Sequence, residues 1–244
     1  MKSVKNARPA TPDAAAVVAW LKKNGSKSVR DSMARYAIAS DKAFGIPVGK
    51  LRAYAKSIGR NHQLAEELWQ TDVYEARMLA ALIDDPAKVT AQQMDRWARD
   101  FDSWAICDTA CFHLFDRTPF AFAKVRKWAT SRDEFIKRAA FALLASLAGH
   151  DKEASDKQFA DCLPLIQRAA TDERNFVKKG VSWALRGIGS RSGTLHTAAI
   201  SLATTLAASE ERAARWVGKD ALRDLNRPLV KRRATAREKR RGHL

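Results

Sequence analysis

The sequence predicts an all-α fold, an array of stacked helix pairs. Apolar residues recur at helical spacing along most of the chain. Breakers are scarce, with 11 Gly and 7 Pro among 244 residues. Alanine, which loses no side-chain entropy in a helix, is abundant. No run alternates apolar and polar residues as half-buried strands do. Hydrophobic residues make up 46% of the chain, enough for a substantial core.

The first helix is expected over 13–24. Thr11 would stand at its N-cap and Pro12 at its first helical position. The apolar stretch 14–21 is short and runs directly into Lys22 and Lys23, so it reads as a helix and not as a secretory signal. Helical periodicity then gives 28–39, 48–58, 62–70 and 73–83, closed by Asp84-Asp85-Pro86. The next four helices are 91–99, 103–115, 119–130 and 134–148, ended by Gly149-His150-Asp151. The last four are 154–168, 175–188, 196–206 and 210–225. Residues 1–226 are expected to form one domain. Residues 227–244 lack apolar periodicity and are expected to form a flexible basic tail.

An internal repeat runs through this series. Phe135-Ile-Lys-Arg-Ala-Ala-Phe-Ala-Leu-Leu aligns with Phe176-Val-Lys-Lys-Gly-Val-Ser-Trp-Ala-Leu, 41 residues later. Ala184-Leu185-Arg186 recurs as Ala221-Leu222-Arg223 after 37, and Tyr74-Glu-Ala-Arg-Met-Leu-Ala-Ala-Leu is an earlier relative. Periods of about 40 with two helices each are those of HEAT-like solenoids, whose helix pairs stack because none buries its apolar face alone. A generic helical bundle is the alternative. Stacking would set Lys137 and Arg138 beside Lys178 and Lys179, forming a short positive ridge suited to a phosphate backbone. Otherwise these are solvated helix faces.

The net charge is +17. Residues 227–244 hold eight Lys or Arg and one Glu, so +7 belongs to the tail and +10 to the body. A basic body as well as a basic tail points to a polyanion, with nucleic acid ahead of a membrane surface. The three cysteines supply too few ligands for a closed zinc site, so no metal is expected and they read as small apolar packers. No run approaches transmembrane length.

Trp104 and Asp108 stand one helical turn apart and share a face, and Trp183 follows on a later helix. At these residues the chain resembles the DNA alkylation repair glycosylases of the AlkD type. The resemblance is carried by Met33-Ala-Arg-Tyr36 with Phe44-Gly-Ile46, and by Leu68-Trp69 with Glu75-Ala-Arg77. Trp104-Ala-Ile-Cys-Asp108 carries it further, as do Phe135-Ile-Lys-Arg138 and Lys179-Gly-Val-Ser-Trp183-Ala-Leu-Arg186. Together these span residues 32–188. The resemblance implies a superhelical array of HEAT-like helical repeats with a concave basic surface that holds double-stranded DNA. It makes Asp108 the catalytic carboxylate, Trp104 and Trp183 aromatic walls beside the lesion's sugar, and Arg138 a contact to the DNA backbone. Lys137, Lys178 and Lys179 would join Arg138 at the DNA, with Arg35 and Tyr36 from the opening block. The tail after Asn226 is more basic than the family pattern requires, and the segment before Ser28 is unmatched.

One carboxylate suffices for such chemistry only if the leaving group is already activated. General glycoside hydrolysis uses two. A purine alkylated at N3 or N7 carries positive charge and departs without further protonation. What remains is to stabilise an oxocarbenium-like sugar and to position water. A carboxylate does this electrostatically, aided by the negative faces of two indoles. The expected substrates are therefore 3-methyladenine and 7-methylguanine in duplex DNA, released by a monomer in a bacterial cytoplasm, at the nucleoid, without cofactor. A DNA binder of the same fold without catalysis, or a protein-interaction scaffold, are the other readings.

Overall fold

The structure, a computed structural model, describes residues 12–241. Among the described residues there are helices and connecting segments and no strand. The chain divides into two compact units, one up to Asp85 and one from Pro86. The boundary expected at 226 falls inside the second.

The first unit holds α1 (Ala14–Asn24), α2 (Lys27–Ser32), a 3-10 turn (Met33–Tyr36), α3 (Val48–Ile58), α4 (His62–Gln70) and α5 (Tyr74–Ile83). Thr11, expected as the first cap, lies outside the described residues. The cap is Asp13, whose carboxylate accepts from the Ala16 N–H at 2.7 Å. Pro12 thus precedes the helix instead of opening it. The helix expected over 28–39 stops at Ser32. A single 3-10 turn follows, closed by Ala37 in the left-handed region at φ +53°. The Ile38 N–H then reaches back to the Met33 carbonyl at 3.3 Å, a Schellman closure that needs this φ.

α5 is the spine of the first unit, packed on α3 and α4 and buried from Glu75 to Ala81. Glu75 is fully buried. Its carboxylate collects the backbone N–H groups of Phe44, Gly45 and Ile46 at 3.0, 2.7 and 3.2 Å. Gly45 is required there: its φ is +82°, and a Cβ would stand 2.2 Å from the Ser26 carbonyl oxygen. Two sequence blocks, Phe44-Gly-Ile46 and Glu75-Ala-Arg77, are thereby one structural lock.

The second unit begins with α6 (Ala91–Arg99), α7 (Trp104–His113), a 3-10 turn (Phe115–Arg117), α8 (Ala121–Trp128) and α9 (Glu134–His150). It continues with α10 (Asp156–Ala160), α11 (Leu163–Ala169), α12 (Asn175–Gly189), α13 (Gly193–Ala207), α14 (Arg212–Leu225) and α15 (Pro228–Arg241). α7, α9, α12 and α14 contact one another in that order and form one layer. Against them pack α8, α11 and α13, and α15 packs on α13. α9 is buried at every position from Arg138 to Ala148, as befits a helix enclosed on all sides. The repeat is visible as contact: the rings of Phe135 and Phe176, aligned in sequence, stand 5.4 Å apart. The fold is therefore the stacked HEAT-like array that the periodicity predicts.

Two expectations change here. The helix expected over 154–168 is two short ones. Pro164 in the first turn of α11 has no N–H to continue the preceding helix. The tail expected to be flexible is helical from Pro228 to Arg241, and its Ala234 is buried. No helix of the described residues is long and apolar enough to cross a membrane.

Candidate active site

Ser103 caps α7, its hydroxyl accepting from the Ile106 N–H at 3.4 Å, and so sets Trp104 in the first turn. Cys107 and Cys111 are fully buried against α9, with their sulfurs 3.7 and 3.5 Å from the carbonyl oxygens of Phe135 and Ala139. Trp104 and Asp108 lie on the edge of that face and are half-buried. Directly across, α9 presents Arg138. Its Nε donates to Asp108 Oδ1 at 2.9 Å and its Nη2 to Oδ2 at 2.7 Å. The remaining Nη1 donates to the Phe176 carbonyl at 2.8 Å, tying α12 into the same cluster.

The pair is partly hidden: the Asp108 side chain is 19% exposed and that of Arg138 8%. Burial pushes the Asp108 carboxyl above the usual aspartate range, and Arg138 pulls against it. For Arg138, burial works against the charge, but Asp108 more than offsets that and lifts the guanidinium further. A bidentate fork is among the strongest charge-assisted contacts and favours the ionised form of the carboxylate against burial. It occupies one lone pair on each oxygen and leaves one on each for another partner.

Trp183 stands on α12, half-buried, on the face that carries Phe176 two turns and Gly180 one turn earlier. A Cβ at Gly180 would stand 3.6 Å from Arg138 Cγ, so this is the face turned to α9. α7, α9 and α12 thus deliver Trp104, Asp108, Arg138 and Trp183 to one layer of the second unit. Arg35 and Tyr36 belong to the 3-10 turn of the first unit and are exposed.

The basic residues depart from the expected ridge. Arg138, expected at the DNA backbone, is turned inward with its donors committed to Asp108 and Phe176. A phosphate could take it only by breaking that pair. Lys137 is held by Asp172 at 2.9 Å, and Arg174 grips the same carboxylate at 2.6 Å. The Arg174 and Lys137 hydrogen bonds hold the Asp172 carboxyl far below the usual range. Lys178 lies over the Trp216 ring at 5.5 Å. Lys179 is exposed. Sequence reasoning missed the Asp172–Arg174 clamp and the Phe176 carbonyl. The aligned Phe135 and Phe176 were the available sign that α9 and α12 would share polar contacts at this level.

Among the described residues no group of three or more His, Cys, Asp or Glu is arranged to hold a metal ion. All three cysteines are buried and unpaired by disulfide.

The family model of the DNA alkylation repair enzyme matches residues 17–225. An uncharacterized protein of Listeria innocua, Lin0241, is 22% identical over 169 residues, which are 67% of this chain and 72% of that one. A solved structure overlays with a TM-score of 0.73 at 22% identity, covering 87% of this chain and 95% of its own. It is described as belonging to a new family of proteins related to the HEAT-like repeat DNA glycosylases with affinity for branched DNA structures.

Proposed function

The chain belongs to the DNA alkylation repair enzyme family, and from that premise we propose that it is a DNA glycosylase acting on cationic alkylpurines in duplex DNA. The observation that carries the reading is the Asp108 carboxylate: half-buried, fixed by two hydrogen bonds from Arg138, and left with one lone pair on each oxygen.

In 3-methyladenine or 7-methylguanine the glycosidic bond breaks with its electron pair passing to the already cationic base, which leaves neutral. Positive charge appears on the sugar. Asp108 faces that charge in a site where limited water strengthens its field. Water then adds at C1′ and loses a proton, with Asp108 as its hydrogen-bond acceptor. Trp104 and Trp183 present negative ring faces to the same developing cation. Arg138 acts through Asp108: it orients the carboxylate and keeps it deprotonated. Lys179, exposed on α12, contributes to holding the phosphate backbone, and Arg35 and Tyr36 do so from the first unit. The protein works as a monomer in base excision repair of nucleoid DNA.

A second reading, DNA binding without base release, is favoured by the bidentate Asp108–Arg138 pair, which balances both charges without any ligand. Release of methylpurine from methylated duplex decides between them. Asp108→Asn is expected to lower excision by at least about 100-fold, the scale of losing one preorganised electrostatic group, with duplex affinity within a few-fold of the native chain. Because a lone buried guanidinium destabilises by about 3–5 kcal/mol, the double variant Asp108→Asn/Arg138→Gln serves as the folded control. Native excision in either variant removes Asp108 from the chemistry.

A further inference from the structure

α15 runs for 14 residues, about 21 Å at 1.5 Å per residue. Pro228 opens it, where its missing N–H costs nothing. One described side chain seats it: Ala234, 1% exposed, against the α13 layer. Around this seat the contact is loose, with a cleft of about 540 Å³ lined by His196, Thr197, Ile200, Asn226, Lys231 and Thr235. Lys231, Arg232 and Arg233 are all exposed, and among the described residues no acid lies within ion-pair reach of them. Arg237, Lys239, Arg240 and Arg241 follow in the same helix.

α15 packs on α13 and, less, on α14, whereas Asp108, Arg138 and Trp183 stand on α7, α9 and α12. Its positive charge is thus carried by a helix other than those that hold the Asp108 cluster, seated on α13 through Ala234. An anionic membrane would require a broad apolar face on such a helix. Here the exposed apolar residue is Leu229, with Val230 partly covered. Regularly spaced phosphates are the polyanion that matches a dense cationic rod lacking an apolar side.

We propose that α15 is a second duplex-DNA-binding surface, so that one chain holds two DNA segments, one at the Asp108 layer and one at α15. The proposal takes its choice of polyanion from the DNA-repair reading and is otherwise independent of the chemistry at Asp108.

The test is bridging. Short duplexes labelled with donor or acceptor fluorophore are mixed with the full-length chain, and energy transfer between duplexes is followed across a salt titration. Excision from single duplexes is followed in parallel. The native chain is expected to bridge at low salt. Lys231→Glu/Arg232→Glu/Arg233→Glu, all at exposed positions, is expected to lose bridging at least about tenfold, with the salt slope reduced by about 0.9 per lost phosphate contact. Excision from a single short duplex is expected to stay within about twofold. A native chain that binds one duplex and never two overturns the proposal. So does undiminished bridging by the triple variant, which would leave α15 a polar end cap of the helical stack. Equal loss of bridging and single-duplex excision also overturns it, since α15 would then serve the same DNA segment as the site. Bridging that persists in Asp108→Asn while excision disappears separates this surface from the catalytic reading, and loss of all duplex binding by the native chain would sink the DNA-repair reading itself.

Discussion

At Asp108 two requirements conflict. The carboxylate must be shielded from water for its charge to act strongly, and shielding favours its neutral form. Arg138 resolves the conflict by offering a permanent positive charge through two short hydrogen bonds. The pH profile should show it. Burial places the carboxyl above the usual aspartate range, so excision should fall on acidification at a higher pH than an ordinary aspartate would give. Removing an adjacent opposite charge raises a carboxyl by about 1–3 units. Arg138→Gln is therefore expected to move the acid limb of kcat/KM upward by about one unit or more, with KM little changed. An unmoved limb with a raised KM would instead mean that Arg138 leaves Asp108 to grip DNA. The Trp104–Asp108 spacing was readable from sequence because it lies within one helix. The Arg138 partnership was not. It depends on which face of α9 meets α7, and helical periodicity alone does not distinguish a buried arginine that has a partner from a solvated one.

Among the helices, most boundaries were legible to within a few residues because caps and periodicity are local. α3, α4 and α6 fall where the pattern puts them. The misses have local causes with nonlocal outcomes. Pro164 divides one expected helix, and Ala37 adopts a left-handed conformation that alanine disfavours. α15 has no apolar stripe to announce it, and its docking through Ala234 depends on α13 being there. How closely helices approach is likewise invisible in sequence but testable by a methyl group. At Gly218 on α14, a Cβ would stand 2.2 Å from the Ala207 nitrogen and 2.5 Å from the Ala203 oxygen, both backbone atoms of α13. Gly218→Ala is expected to destabilise the fold by about 2 kcal/mol or more, because the two helices must separate. Gly149, near the end of α9, has nothing within 4 Å of a Cβ. There the same substitution should stabilise by about 0.5 kcal/mol through reduced backbone entropy in the unfolded chain. Urea midpoints of the two variants moving in the same direction would contradict this account of the α13–α14 contact.

Across the molecule, the acids divide into two populations whose opposed pH responses set its stability. Burial raises Asp108 and Asp116, and each is partly offset by its hydrogen-bond partner, the Arg138 guanidinium or the His150 ring. Their folded form binds a proton more readily than the unfolded chain does. Stability contributed by them is fully present below the unfolded value and is lost as pH rises through the folded one. Asp95 behaves oppositely. Burial alone would raise it, but hydrogen bonds from Lys124, Lys127 and Trp128 hold it at about 2. Asp172 lies lower still, clamped by Arg174 and Lys137. Stability from this second pair is present above the unfolded value of about 4 and is lost as pH falls through about 2 and below. The net charge of +17 sharpens that loss, since every carboxylate protonated adds to the self-repulsion of a chain with 44 basic residues. The urea midpoint is therefore expected to hold or rise slightly as pH falls from neutral toward the usual aspartate range, and then to drop steeply below about pH 4. Adding salt should soften the drop by screening the repulsion, and Asp95→Asn should remove part of it by abolishing one of the depressed groups. A midpoint that declines evenly from pH 7 downward would mean that the raised acids at Asp108 and Asp116 carry no weight, and that the site's carboxylate is not held in the shielded, cation-paired state on which its proposed chemistry depends.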